Sequence, residues 1–417
     1  MRLASTLGPV RLGGGAASGG LRSVALPGSS DFTTLSAGQP TLPAGWACVQ
    51  ASDGSTVQTS QSTLVLCASG SNKARAGRAH SAHAIGLVIE PAITNLVAAL
   101  NSTYPRNIAG WNASGSGADS YSTVAYAGPD GAVSANSIRD QVTSGGYSKG
   151  VFATGVTSRV RTSSIWLRSG TPGGSIQWLA GLNTGKIVAE SIPATTTWTR
   201  RALTPAAADT AWLIRGADGR DLTSLGGTTA GARDMAIDFA QVEDLPYATE
   251  VSLLTGARAA SYFTRAMATL CDPSGRMALV IEGRLKTGIA NLTSAYPWYV
   301  DATHHVQIQA NGFVKVTLGG SSYTTPLAAV GDALDRYRLT VIVGNCVPQV
   351  YWGRAAWNAT LGTDGPMIET AIGLPTSSAI DAIAAPTSGS CAIGGTDGAW
   401  ASWLYSVTGY RATWSAS

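Results

Sequence analysis

Charge is what this sequence has least of. Only 12% of its 417 residues are Asp, Glu, Lys or Arg, about half the usual quarter. That poverty excludes a coiled coil, whose flanking positions need charge. Hydrophobic residues make up 44%, which excludes the apolar-poor composition of a disordered chain. Lysine is scarce: there are five (Lys73, Lys149, Lys186, Lys286, Lys315), and the other 23 basic residues are arginine. The arginines are scattered without a basic run, so no nucleic-acid partner is expected. Long apolar runs are missing too. The most apolar stretch, residues 84–100, contains Glu90 and Pro91 and is too short to span a bilayer, so no membrane insertion is expected. The opening MRLASTLGPVRLGGG has no apolar core and does not read as a secretory signal. Synthesis in a cytoplasm is the expectation. The five cysteines (Cys48, Cys67, Cys271, Cys346, Cys391) then read as thiols, with a Cys48–Cys67 pair across a hairpin as the alternative.

What is abundant is turn chemistry. The 50 Gly and 18 Pro lack the period of three that collagen requires. With Ser, Asn and Asp they punctuate short β-like runs. Residues 120–245 hold about nine strand candidates, separated by turns such as Pro129-Asp130-Gly131, Gly145-Gly146, Pro172-Gly173 and Asp218-Gly219. A second ladder fills 258–414. There, Val306 to Ala310, then Asn311-Gly312, then Phe313 to Leu318 reads as a hairpin with a type I′ turn, and Tyr337, Leu339, Val341 and Val343 alternate along one strand face. Short helices are expected only around 92–100 and 378–384. The fold class is therefore all-β, with two antiparallel β-sandwiches in tandem. The boundaries are an extended arm over 1–45, a short β region and loop over 46–85, a first sandwich over 86–256 and a second over 257–417. The arm, rich in Gly, Ala, Ser and Thr, is expected to dock on other chains.

The run Gly86-Leu87-Val88-Ile89-Glu90-Pro91-Ala92-Ile93-Thr94-Asn95-Leu96 resembles a pattern of bacteriophage virion proteins, L-[LV]-[IV]-E-P-x-x-T-N-L, that introduces a jelly-roll domain. Later landmarks follow in the same order. They are Trp111, Pro129 to Gly131, Ala240-Gln241-Val242-Glu243, Ala248-Thr249, Ser261-Tyr262 and Thr264-Arg265-Ala266. The resemblance covers residues 50–417, with Ile93 standing where those proteins usually carry Arg. It implies a jelly-roll, carbohydrate-binding-like first sandwich and a concanavalin-A-like second one. It also implies a virion structural protein of tail, fibre or head-spike type, located on the virion and assembled with other virion proteins and with copies of itself. A host-surface polysaccharide is a further expected ligand. By its residues alone, Glu90 reads as a carboxylate at a helix start, facing free backbone N–H groups.

Catalytic patterns are not met. Gly146-Tyr147-Ser148-Lys149-Gly150 matches G-x-S-x-G, but the flanks are strand-like where a nucleophile elbow needs a following helix. His80 and His83 lie in a loop without a third ligand, and His304 and His305, adjacent on a strand, point to opposite faces. No metal site and no cofactor are expected. Glycoside hydrolysis needs two carboxylates about 5–10 Å apart. Glu282 stands alone, and Asp238 and Glu243, five apart, fall on opposite faces of a regular strand. No enzyme is expected. A virion-associated depolymerase and a secreted adhesin are the alternatives. Indole faces stack on sugar rings, which makes Trp357, in a polar stretch, and Trp400 and Trp403, at a strand start, the glycan-binding candidates. Packing under loops or against a neighbouring subunit is their other reading.

Overall fold

The computed structural model of the chain describes residues 23–50, 54–68, 70–100, 106, 112–114, 120–140, 147–169, 175–180, 188–193, 195–217, 233–292 and 294–412. Its regular secondary structure is nearly all antiparallel β-strand. One sandwich has two five-stranded sheets. The first runs in the order Ser120–Ala127, Val133–Asp140, Arg233–Glu243, Thr162–Ser169, Thr199–Leu203. The second runs Val188–Pro193, Ser175–Ala180, Asp209–Ala217, Tyr147–Arg159, Asn112–Ser114. Ile165, Leu167, Ile237 and Val242 of one sheet meet Val151, Trp178, Trp212 and Ile214 of the other in a common core.

The other sandwich is larger. Its seven-stranded sheet runs Ser321–Ala328, Phe313–Leu318, His304–Ile308, Ala295–Asp301, Ser390–Ile393, Tyr262–Ala266, Ala47–Val49. Its nine-stranded sheet is led by Ile368–Gly373, Gln349–Ala355, Arg336–Val343, Met277–Leu285 and Ser402–Ala412. Alternation decides which face is inward. Tyr337, Leu339, Val341 and Val343 are buried against Val306, Ile308, Val314 and Val316 of the opposing sheet, because successive side chains on a strand point to opposite faces.

The N-terminal segment departs from the expected arm over 1–45. Ser402–Ala412 is 11 residues long, and its second edge would be left unpaired. Three short pieces cover it in turn: Gly86–Ile89 pairs with Ser402 to Leu404, Ser30–Asp31 with Ser406 and Val407, and Ser23–Ala25 with Tyr410 to Ala412. An open edge of that length is an aggregation template, and covering it removes the hazard. Phe32 is fully buried in the large core and meets Trp46 edge-on at 5.2 Å. From Ser23 onward the segment is thus part of its own chain's sandwich; residues 1–22 lie outside the described residues. Likewise Gly86–Ile89, expected to open the first sandwich, belongs to the second sandwich's sheet, as does Ala76–Gly77.

Smaller differences have local causes. The helix is only Leu96–Leu100, because Ile93–Thr94 pairs with Ala257–Arg258 instead of joining it. Residues 378–384 form turns, tied by the Asp381 carboxylate to the Ser378 N–H and hydroxyl. The 306–318 hairpin forms in the expected register, but only Gly312 has positive φ (81°). A type I′ turn needs positive φ at both central residues. The loop is instead closed by Gly312 N–H to Gln309 O and Gln309 N–H to Phe313 O. None of the five cysteines is in a disulfide. No helix among the described residues is long and apolar enough to cross a membrane.

Candidate functional site

Where the two sandwiches join, the side chains of the sequence landmarks converge. Glu90, at the end of Gly86–Ile89, is completely buried. It does not face a helix start. Its Oε2 receives Arg258 at 2.8 Å and Arg75 at 3.2 Å; its Oε1 receives Lys286 Nζ at 2.6 Å and the Glu250 N–H at 2.7 Å. Burial alone would push this carboxyl up, but the charges of Lys286, Arg258 and Arg75 outweigh it and hold it well below the usual carboxylate range. Lys286 also reaches Glu250 at 3.1 Å and stands over the Trp403 ring at 4.3 Å. Ile93 is paired in register with Arg258, the residue whose guanidinium meets Glu90. Asn95 ties the helix to the first sandwich: its Nδ2 donates to Ala240 O and Ser252 O, and its Oδ1 accepts from Val97 N–H and Val242 N–H. Glu243 accepts from the Gln241 amide and from both the N–H and hydroxyl of Thr249. Burial raises the Glu243 carboxyl above its ordinary value, against those hydrogen bonds.

Asp238 and Glu243 turn out to lie on the same side of their strand. Phe239 takes a left-handed φ of 49°, beside a register shift opposite Ser164 and Trp166. Ile237, Ala240 and Val242 therefore all enter one core, and Asp238, Gln241 and Glu243 are turned away from it. Such a bulge resets the two-residue alternation. Both carboxylates are buried and engaged, Asp238 with Arg106 at 3.1 Å.

The three tryptophans chosen from sequence are not brought together as a glycan site. Trp400 is fully buried in the large core; its indole N–H donates to Tyr337 OH at 2.8 Å, and Tyr337 stacks on Trp352 with rings 2° from parallel. Trp403 is 6% exposed and covered by Lys286. Trp357 is half-buried, on the small hairpin formed by Trp357–Asn358 and Thr363–Asp364. Its ring packs on His83 at 4.2 Å and His80 at 5.2 Å, with the Arg284 guanidinium 5.4 Å away. Arg284 is in turn held by Asp364 at 2.6 Å. His83 is 2% exposed, and neither ring nitrogen has a hydrogen-bond partner among the described residues. The histidine loop is thus the bed on which the hairpin lies. Trp357→Ala is expected to lower stability by about 2 kcal/mol, the order of one side chain's burial, while leaving glycan affinity unchanged; denaturant titration and glycan binding of the same variant check both halves.

A different surface carries two partly exposed aromatic rings beside a buried histidine. On the outward side of the seven-stranded sheet, Tyr296 and Tyr299 are half-buried and lie edge-to-face with ring centroids 5.4 Å apart. His305 fits against both, 5.3 Å from Tyr296 and stacked on Tyr299 at 6.1 Å. Its Nδ1 bonds to Asp301 O at 3.3 Å, and burial lowers its pKa. Gln307 donates to Tyr296 OH at 3.1 Å. Gly395 lets the loop after Ser390–Ile393 close on Tyr296: it has φ 73°, and a Cβ there would lie 3.1 Å from the Tyr296 Cβ. Neither tyrosine was a sequence candidate, because residues three apart fall on opposite faces of a regular strand. Register shifts between Ala295 and Trp298 and between Tyr299 and Asp301 bring both to one face.

For other chemistry, Gly146 and Trp111 lie outside the described residues, and Tyr147 opens a strand, Tyr147–Arg159, with no helix after it. Glu282 is held by Arg338 at 2.5 Å. No group of three or more His, Cys, Asp or Glu among the described residues is placed to share a metal ion. The chain matches no protein-family model and no curated protein.

Proposed function

We propose that the chain is a structural protein of a bacteriophage virion, a fibre, spike or decoration component that works by binding and assembly. In this reading the first sandwich is a jelly roll of the carbohydrate-binding type and the second is lectin-like. Residues before Ser23 supply docking to the particle. The outward face around Tyr296, Tyr299 and His305 contacts host-surface glycan. The observation that carries the glycan part is the cluster of three rings on an outward sheet face beside hydrogen-bonding side chains. Sugar rings present C–H faces to aromatics and hydroxyls to polar groups, and such a cluster meets both. The virion part rests on the order of the sequence landmarks. The convergence of Glu90, Asn95, Gln241, Glu243, Thr249 and Ser261 on one buried junction supports treating those landmarks as one structural unit.

Two measurements test it. Mass spectrometry of purified particles from the producing host is expected to find the chain at stoichiometric level; its absence from particles sinks the virion reading. Tyr299→Ala is expected to weaken binding to host-surface polysaccharide about tenfold, equivalent to about 1.4 kcal/mol, with the melting temperature little changed. Undiminished binding removes this face from the proposal.

A further inference from the structure

Resting on that reading of the Tyr296–Tyr299–His305 face, we infer that its ligand is an acidic saccharide, a chain bearing carboxylates, laid across the strands with Lys315 as the carboxylate anchor. The argument starts from the register. Tyr299 is opposite His305, His305 opposite Thr317, and Thr317 opposite Ser322, so these four form one row perpendicular to the strands. Gln307 is opposite Lys315, and together they form the next row along. Adjacent strands are about 4.8 Å apart, close to the repeat of a pyranose chain. A glycan running along the rows therefore presents about one sugar to each strand.

The rows are selective in what they offer. They contain no large aliphatic side chain, unlike a face built to bury another protein's apolar surface. At the Tyr299 end there is a half-buried ring for stacking, backed by the buried His305; at the far end, the half-buried Ser322 hydroxyl stands 3.0 Å from the buried Thr317 hydroxyl. In the next row, one charge is left uncompensated. Lys315 is half-buried and makes no ion pair or side-chain hydrogen bond among the described residues. The nearby carboxylates are already engaged. Asp301 accepts from the Thr303 N–H and hydroxyl, both at 2.7 Å, and faces His304 at 3.1 Å. Asp397, at the Tyr296 edge, accepts the Ala399 N–H at 3.0 Å. An ammonium group one row along from stacked rings, on a surface otherwise able to satisfy hydroxyls, matches a hexuronate or a similar acidic sugar. A charge-assisted hydrogen bond from Lys315 to its carboxylate is about twice as strong as a neutral one.

The test uses the full chain and tetrasaccharides of galacturonate, hyaluronate and polysialate, each beside its methyl-esterified counterpart, in calorimetric titrations. The expected result is at least one acidic probe bound tenfold or more tightly than its ester. Lys315→Gln should abolish that preference, Lys315→Arg should keep it, and Tyr299→Ala should weaken acid and ester alike. Lys315 is a partly exposed side chain with no ion pair or side-chain hydrogen bond among the described residues, so its variants keep the fold, which the melting temperature verifies. Equal affinity for acid and ester, or a preference that survives Lys315→Gln, overturns the acidic-ligand inference and leaves the glycan face standing. Failure of every probe to bind overturns both.

Discussion

Glu90→Ala is expected to cost about 3–5 kcal/mol of folding stability, because it takes away a buried carboxylate that compensates three buried cations. Three cations depend on this carboxylate: Arg258 at 2.8 Å, Arg75 at 3.2 Å and Lys286 at 2.6 Å. Glu250 can take over only part of the load, since one of its oxygens accepts the Gln58 N–H and the other already serves Lys286. The Glu90 variant also strips an acceptor from the buried Glu250 N–H. Because Arg75 and Lys286 flank strands of the larger sandwich, Ala76–Gly77 and Met277–Leu285, and Glu250 and Arg258 come from the segment that follows the first sandwich's last strand, the loss falls on the joint. Denaturant unfolding followed by tryptophan fluorescence is expected to show a lower midpoint and two separated transitions where the parent has one. Glu90→Gln keeps the shape and should recover little, because the charge is what the three cations need. A loss below about 1 kcal/mol in both variants would mean that water or rearranged partners satisfy the cations.

This joint illustrates what a sequence shows and hides. The strand ladder was legible because alternation is local: Tyr337, Leu339, Val341 and Val343 sit two apart and all enter the core. The landmark Glu90 was visible as a residue but not as a hub, since Lys286 lies 196 positions away and Glu250 lies 160 away. No spacing rule reaches that far. Bulges hid the rest. At Phe239 a single left-handed residue turned Asp238 and Glu243 to one side, and shifts near Trp298 placed Tyr296 and Tyr299 together. Indole faces that can stack on sugars made Trp357, in its polar stretch, and Trp400 and Trp403, at a strand start, the candidates in the sequence. Burial then claimed Trp400 and Trp403 for packing, which is the commoner fate of a large apolar ring. The N-terminal segment misled for a related reason. Its small residues resemble a linker, but Phe32 and Trp46 suffice to anchor it in the core.

Acid is expected to loosen the Trp357 hairpin through His83. Burial first, then the charges of Arg284, His80 and Arg78, push the His83 pKa down to about 3 from an ordinary 6.5. In the unfolded chain the imidazole takes its proton near 6.5; in the folded one it refuses it until far lower pH. Below 6.5 the unfolded state therefore binds more protons, and stability falls as pH drops toward 3. Asp238 works in the opposite sense. Burial, partly offset by Arg106, pushes it up to about 6 from 3.8, so the folded state takes a proton first and gains stability as pH falls through that window. Comparing the parent with His83→Phe cancels the Asp238 contribution, which both share, and keeps an aromatic ring against Trp357. After discounting for solvent screening on the His80 side, the parent should lose about 1–2 kcal/mol relative to the variant between pH 7 and pH 4. Parallel stability curves for the two proteins would sink the idea. The loss should also be local. A cation at His83 would sit among Arg78, Arg284 and His80, directly under the ring 4.2 Å away. Amide exchange, corrected for its intrinsic pH dependence, should accordingly rise in residues 357–364 of the parent at pH 4 and stay unchanged in His83→Phe, while the paired core strand Arg336–Val343 remains protected in both.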